Sequence, residues 1–167
     1  APFRPRGLDV SVVLDLMIHD LDLLLDLAAS PLAEVRAVGR AVMTPFPDFA
    51  VAQLGFESGA AATVTASRVS VCLERRLRLL GPSGEVRVDF LARSLEALRP
   101  SGAEPVPAMP GWGTDRATWI EHDSLEAEQA AFIAAVTEGT PVEADGAAGL
   151  RALDAALRVE AALASRS

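Results

Sequence analysis

Residues 14–26, LDLMIHDLDLLLD, restrict the fold more than any other stretch of the chain. At about 100° per residue, Asp15, His19, Asp22 and Asp26 recur at i, i+4, i+7 and i+11 and fall in one narrow stripe of a helix. Leucines, Met17 and Ile18 cover the remaining circumference, with Asp20 the only charge among them. A helix apolar almost all round is a buried helix. The rest of the chain must therefore wrap it and leave its stripe facing solvent or a cleft.

The stripe has two chemical readings beyond a solvated face. An Asp and a His four residues apart lie one turn above each other, which is the geometry of a general acid or base with a helper carboxylate. Alternatively, Asp15, His19 and Asp22 could ligate one divalent ion from a single helix face, with His122 a further donor. No HExxH or comparable motif accompanies them. Exposed stripes usually mix long acids and bases; this one has short acids, which form helix poorly, around a histidine with no cation to relieve them. That choice points to a placed function.

The predicted helix over residues 12–29 ends at Ser30-Pro31, because proline disfavours helix in the residue before it. From Glu34 the period changes. VRAVGRAVM, FAVAQLGFE, AAATVTASRVSV, ERRLRLLG and GEVRVDF read as strands, and a further short one is expected over residues 94–99. Glu57-Ser58-Gly59 and Gly81-Pro82-Ser83-Gly84 are tight connections, which favour antiparallel pairing in chain order. Residues 100–114, with four prolines and three glycines, read as a loop without regular structure. Helices follow from the cap at Asp123-Ser124 to Glu138, and from Asp145 or Gly146 onward. The expected fold class is α+β: one predominantly antiparallel sheet of about six strands, with helices on one face and the other face open.

At 167 residues the chain suits one domain, spanning 1–167. Its net charge of −8 argues against nucleic acid as a partner, and no apolar run reaches the ~20 residues a membrane span needs. The single cysteine, Cys72, excludes an internal disulfide, the basic APFRPRGLDV is followed by no apolar h-region with a cleavage site of the kind expected in a secretory signal, and a cytoplasmic location is expected. All 15 basic residues are arginine, so no mechanism can use a lysine of this chain. Arg68, Arg75, Arg76 and Arg78 cluster in and beside strands, where one could meet an anionic group of a substrate. Gly111-Trp112-Gly113 lies in a proline-rich loop rather than between strand and helix, so it fails as a dinucleotide fingerprint.

The segment DVSVVLDLMIHDLDLLLDL resembles the Asp-x-x-x-His-x-x-Asp segment of the Gfo/Idh/MocA oxidoreductases. VAQLGFESGAAATVTASRV, LRLLGPSGEVRVD and the closing DSLEAEQAAFIAAVTEGTPVEADGAAGLRALDAAL are similar to that family in the same order. The likeness is to the C-terminal domain alone, a glyceraldehyde-3-phosphate dehydrogenase-like fold. It implies a substrate-binding and oligomerisation domain of an enzyme that moves hydride between NAD or NADP and a sugar, inositol or nucleotide-sugar hydroxyl. It places His19 and Asp15 at the catalytic positions with Asp22 as their neighbour; Asp22 and, from the arginine cluster, Arg68 are expected to bind substrate, and no metal site and no cofactor-binding residue is expected in this chain. The cofactor would be held mainly by an N-terminal Rossmann domain not found here, so the chain alone is expected to be inactive. A homodimer or homotetramer through the open sheet face is expected. The alternatives are a metal-dependent hydrolase or lyase built on Asp15, His19 and Asp22, and a non-catalytic dimerisation module.

Overall fold

In the computed structural model, residues 1–120, 124–142 and 144–165 are described. They form two compact units, residues 1–73 with 142–167 and residues 74–141. Each has its own antiparallel sheet, where the sequence pattern suggested a single one of about six strands. The α+β class is as expected; the strands number three in one sheet and five in the other.

The first unit opens with a π-helical turn, Val13–Met17, that runs directly into α1, Ile18–Ala28. Ser11 caps this helix: its hydroxyl accepts from the Val13 and Leu14 amides at 3.2 and 3.3 Å and donates to Glu160 of α3, Gly146–Ala164. α1 stops where Ala29 turns left-handed (φ 44°), two residues before Pro31. The strands β1 (Leu32–Arg40), β2 (Phe49–Phe56) and β3 (Ala61–Ser67) follow as a meander in that order. Alternation buries Ala50, Ala52, Leu54 and Phe56 of β2 with Ala37, Val64 and Ala66 beneath the helices. Small residues on both sides, Ala152, Ala155 and Ala156 on α3, let helix and sheet approach closely around Met17, Leu21 and Val159. Arg158 ties α3 to the irregular start of β1 by donating to the Leu32 and Ala33 carbonyls at 2.6 and 3.0 Å.

The leucines of α1 are covered unevenly. Leu21 is fully buried, Leu14, Leu24 and Leu25 are half-buried, and Leu27 is exposed. Expected burial all round is thus met on the sheet side of the helix only. On α3, Leu150, Leu153 and Leu157 face solvent.

The second unit is a five-stranded sheet, ordered β4-β5-β6-β8-β7, from β4 (Arg76–Gly81), β5 (Gly84–Asp89), β6 (Ser94–Pro100), β7 (Glu104–Pro105) and β8 (Trp112–Thr118). Residues 100–114, read from the sequence as irregular, contain β7 and the start of β8; their prolines and glycines mask a strand pairing that relies on β6. Gly84 closes the β4–β5 turn at φ 127°, and a Cβ there would fall 1.9 Å from the Leu98 carbonyl oxygen. Only glycine fits that approach. Register sorts the faces. Arg76, Arg78, Arg87 and Arg116 interleave with Asp89, Glu85, Glu96 and Glu104 on one, while Leu77, Leu79, Val86, Val88, Leu95 and Ala97 share the other. Among the described residues, no helix of the unit packs extensively on these strands. The helix α2, Ser124–Glu138, leaves Leu125, Phe132, Ile133 and Val136 exposed. Its expected cap, Asp123, lies outside the described residues.

A buried carboxylate organises the connection between β1 and β2. Asp48, 0% exposed, accepts from the Val42, Met43 and Thr44 amides at 2.7, 2.6 and 2.9 Å and from the Thr44 hydroxyl at 2.9 Å. Burial alone would raise its pKa, but these hydrogen bonds to the charged form outweigh it and hold the carboxyl at about 2, below the ordinary 3.8. The folded group therefore stabilises the fold fully above pH 3.8, and that contribution is lost as the pH falls toward 2. The difference corresponds to about 2 kcal/mol. Asp48→Asn should lower stability near neutral pH by about that amount and lose less on acidification than the parent. Urea unfolding of both proteins at pH 7 and pH 3 checks it.

Candidate functional site

From Ile18 onward the helix is regular, and His19, Asp22 and Asp26 keep the alignment expected from their spacing, all three exposed. Asp15 is different. It lies within the π-helical turn, whose extra residue offsets it from the straight-helix stripe. It is half-buried, and its carboxylate covers Gly7: a Cβ on Gly7 would be 3.0 Å from Asp15 Oδ1 and 3.2 Å from Oδ2. Among the described residues no hydrogen bond joins Asp15 to His19. The site thus consists of an accessible imidazole with a half-buried carboxylate, Asp15, one turn before it and an exposed one, Asp22, one turn after. Such a group can exchange a proton with a bound hydroxyl while its neighbours hold the rest of the ligand.

Arg68 does not occupy the place expected of it. It is 4% exposed, and its guanidinium donates to the Gly7 carbonyl at 2.6 Å and the Val10 carbonyl at 2.8 Å. Its Nε faces Asp48 Oδ1 at 3.7 Å. The guanidinium is thus turned to main-chain carbonyls and a buried carboxylate rather than to the exposed stripe. The remaining arginines of the cluster are surface groups. Arg76 pairs with Asp89 at 3.0 Å, Arg78 pairs with Glu85, and Arg75 lies 5.1 Å from the Phe90 ring centroid. Cys72, expected within a strand, is exposed beyond the end of β3.

The sequence reading missed Asp48, Gly7 and Ser11. The signal for Asp48 was the turn-forming TPFPD tract, an acid that closes a loop between two strands. Among the described residues no three of His, Cys, Asp and Glu converge to hold a metal ion, and His122 lies outside them. A hollow of about 840 Å³ opens in the first unit between the end of α1 and the first half of α3, beside Leu25, Asp26, Leu150, Arg151 and Asp154. Of the stripe, Asp26 alone reaches it.

The family model of the GFO/IDH/MocA C-terminal domain matches residues 3–87. UDP-N-acetylglucosamine 3-dehydrogenase from Acidithiobacillus ferrooxidans is 42% identical over 163 residues, which are 98% of this chain and 52% of that protein. The chain belongs to the Gfo/Idh/MocA family. It spans about half the length of the curated relative it matches. The solved structure of the same Acidithiobacillus ferrooxidans dehydrogenase superposes with a TM-score of 0.88, again over 98% of this chain and 52% of that one. A dehydrogenase from Bordetella pertussis, solved with NADH and UDP-GlcNAcA, shares the fold at 21% identity and a TM-score of 0.64, over 90% of this chain and 41% of that one.

The Gfo/Idh/MocA name implies a nicotinamide dinucleotide, and the described residues do not fit one. Every strand pair is antiparallel, so no strand, glycine turn and helix form the parallel unit whose helix N-terminus receives a pyrophosphate. Calorimetric titration of this chain with NADH and NADPH should therefore give no heat of binding at micromolar concentrations.

Proposed function

We propose that this chain is the substrate-binding and proton-transferring half of an NAD(P)-dependent oxidoreductase that acts on a nucleotide sugar, with UDP-N-acetylglucosamine the first substrate to try. The reading rests on one observation above the others: an exposed histidine between two aspartates, on a rigid helix, in a chain 42% identical throughout its length to a UDP-N-acetylglucosamine 3-dehydrogenase. The reaction class is the oxidation of a sugar hydroxyl, or the reverse reduction, and the cofactor is bound by a separate domain of the whole protein. The part taken by these residues is the proton. The imidazole of His19 in its neutral form accepts the hydroxyl proton through one ring nitrogen as the carbon is oxidised, and returns it in the reverse direction. Asp15 orients His19 and the reacting end of the sugar; Asp22 holds a neighbouring hydroxyl. The enzyme works in the cytoplasm, in keeping with a single, free cysteine.

Two copies pair through the apolar face of the five-stranded sheet. Leu77, Leu79, Val86 and Val88, all half-buried, form a contiguous apolar patch on which, among the described residues, no helix of their own unit packs extensively, and such a surface favours association. Leu79→Glu together with Val88→Glu should convert a dimer or tetramer to monomer, read by light scattering; a parent that is already monomeric at high concentration overturns the pairing.

His19→Asn tests the catalytic reading in the complete polypeptide, joined to its cofactor-binding domain. His19 is exposed, so the unfolding temperature should hold while kcat falls about 10²- to 10⁴-fold. Near-parental turnover would show that His19 transfers no proton and would leave a non-catalytic module as the better reading.

A further inference from the structure

The Asp15 carboxylate stands at the end of a chain of contacts that begins in the core. Gly7 lies beneath its carboxylate in a left-handed conformation, φ 61°, on a lead-in segment with no strand or helix to hold it. What holds it is Arg68. One Nη donates to the Gly7 carbonyl at 2.6 Å, the other to Val10 at 2.8 Å, so one planar fork fixes both ends of the approach to the helix. Arg68 is in turn anchored from behind. Its amide donates to the Asp48 carbonyl at 2.9 Å, its Nε faces the Asp48 carboxylate, and Asp48 is locked by three loop amides. The same loop reaches the helix directly, the Val12 amide donating to the Pro47 carbonyl at 2.8 Å.

We infer that Arg68 is a positioning residue for the candidate active site, which sets the Asp15 carboxylate through Gly7. The inference rests on the catalytic reading given above and assigns to Arg68 an effect on turnover that a purely structural arginine would lack. Lysine at this position keeps the charge but offers a point donor rather than a fork, so one of the two carbonyls loses its partner and Gly7 is freed. Alanine at Gly7 acts from the other end: its Cβ would press on Asp15 at 3.0 Å, and at φ 61° it also strains the left-handed residue whose carbonyl Arg68 holds.

The experiment uses the complete polypeptide with its cofactor and UDP-N-acetylglucosamine, and compares Arg68→Lys, Gly7→Ala, Asp15→Asn, and the first two each combined with Asp15→Asn. Arg68→Lys and Gly7→Ala should each lower kcat by about 10- to 100-fold with KM changed far less. In the Asp15→Asn background neither should lower kcat further, because the group through which they act is already gone. Unfolding temperatures measured alongside separate this from loss of fold, and Gly7→Ala carries the comparison by itself if Arg68→Lys does not fold. If Asp15→Asn is impaired while Gly7→Ala and any folded Arg68→Lys turn over like the parent, or if the losses multiply, the positioning role is overturned and the catalytic reading stands. If Asp15→Asn and His19→Asn both turn over like the parent, the catalytic reading itself falls, and the inference with it.

Discussion

The pair of Asp48 and Arg68 holds the first unit together at the point where its chain has least regular structure. Two buried charges are costly, and their separation of 3.7 Å is too long for a hydrogen bond, which leaves Arg68 Nε as a buried donor without one. The pair is retained because almost every other polar atom on both groups is matched to main chain: three amides and a hydroxyl on Asp48, two carbonyls on Arg68. The two residues join the lead-in, the loop between β1 and β2 and the end of β3. A hydrophobic contact could close the same space. It could not satisfy five main-chain groups at once.

The two sheets meet different demands with the same antiparallel pairing. The three-stranded sheet uses alanines to bring α3 close, which is how a unit with few strands buries Met17, Leu21 and Val159 completely. The five-stranded sheet keeps leucines and valines on one face and an arginine–glutamate ladder on the other. Glu85 shows how the ladder works: hydrogen bonds from the exposed Arg87 and Arg78 hold its half-buried carboxyl below the usual range. Exposed pairs of this kind add little stability. Their consequence is a charged face that resists stacking, which leaves the apolar face as the surface available for association.

Periodicity made α1, β1 to β6 and α3 legible, and the spacing of His19, Asp22 and Asp26 survived into the structure because that part of the helix is regular. Asp15 was legible in identity but not in placement, since nothing local announces a π-helical turn. β7 and β8 were hidden because their pairing is decided by β6, distant in sequence, and not by local composition. Arg68 is the instructive case. In AAATVTASR, residues 62, 64, 66 and 68 fall on one face, and a period of two already directs Arg68 inward beside Val64 and Ala66. Reading it as an arginine of a cluster hid what its place in the strand implied.

A half-buried Asp15 beside an exposed His19 is the division of labour that the proposed proton transfer calls for. A group that meets substrate must be accessible, and an exposed side chain on a helix retains rotamer freedom. Its neighbour can supply the missing precision only if it is itself held by something rigid. A loop glycine alone would not serve, because its own conformational freedom is the greatest of any residue. The fork of Arg68 removes that freedom from Gly7, and the cost of burying the guanidinium is met in the core, away from the stripe. On the proposed positioning role, the same sheet that buries the apolar side of α1 also holds, through Arg68 and Gly7, the surroundings of the first carboxylate on its polar side, so packing and site geometry draw on one set of contacts.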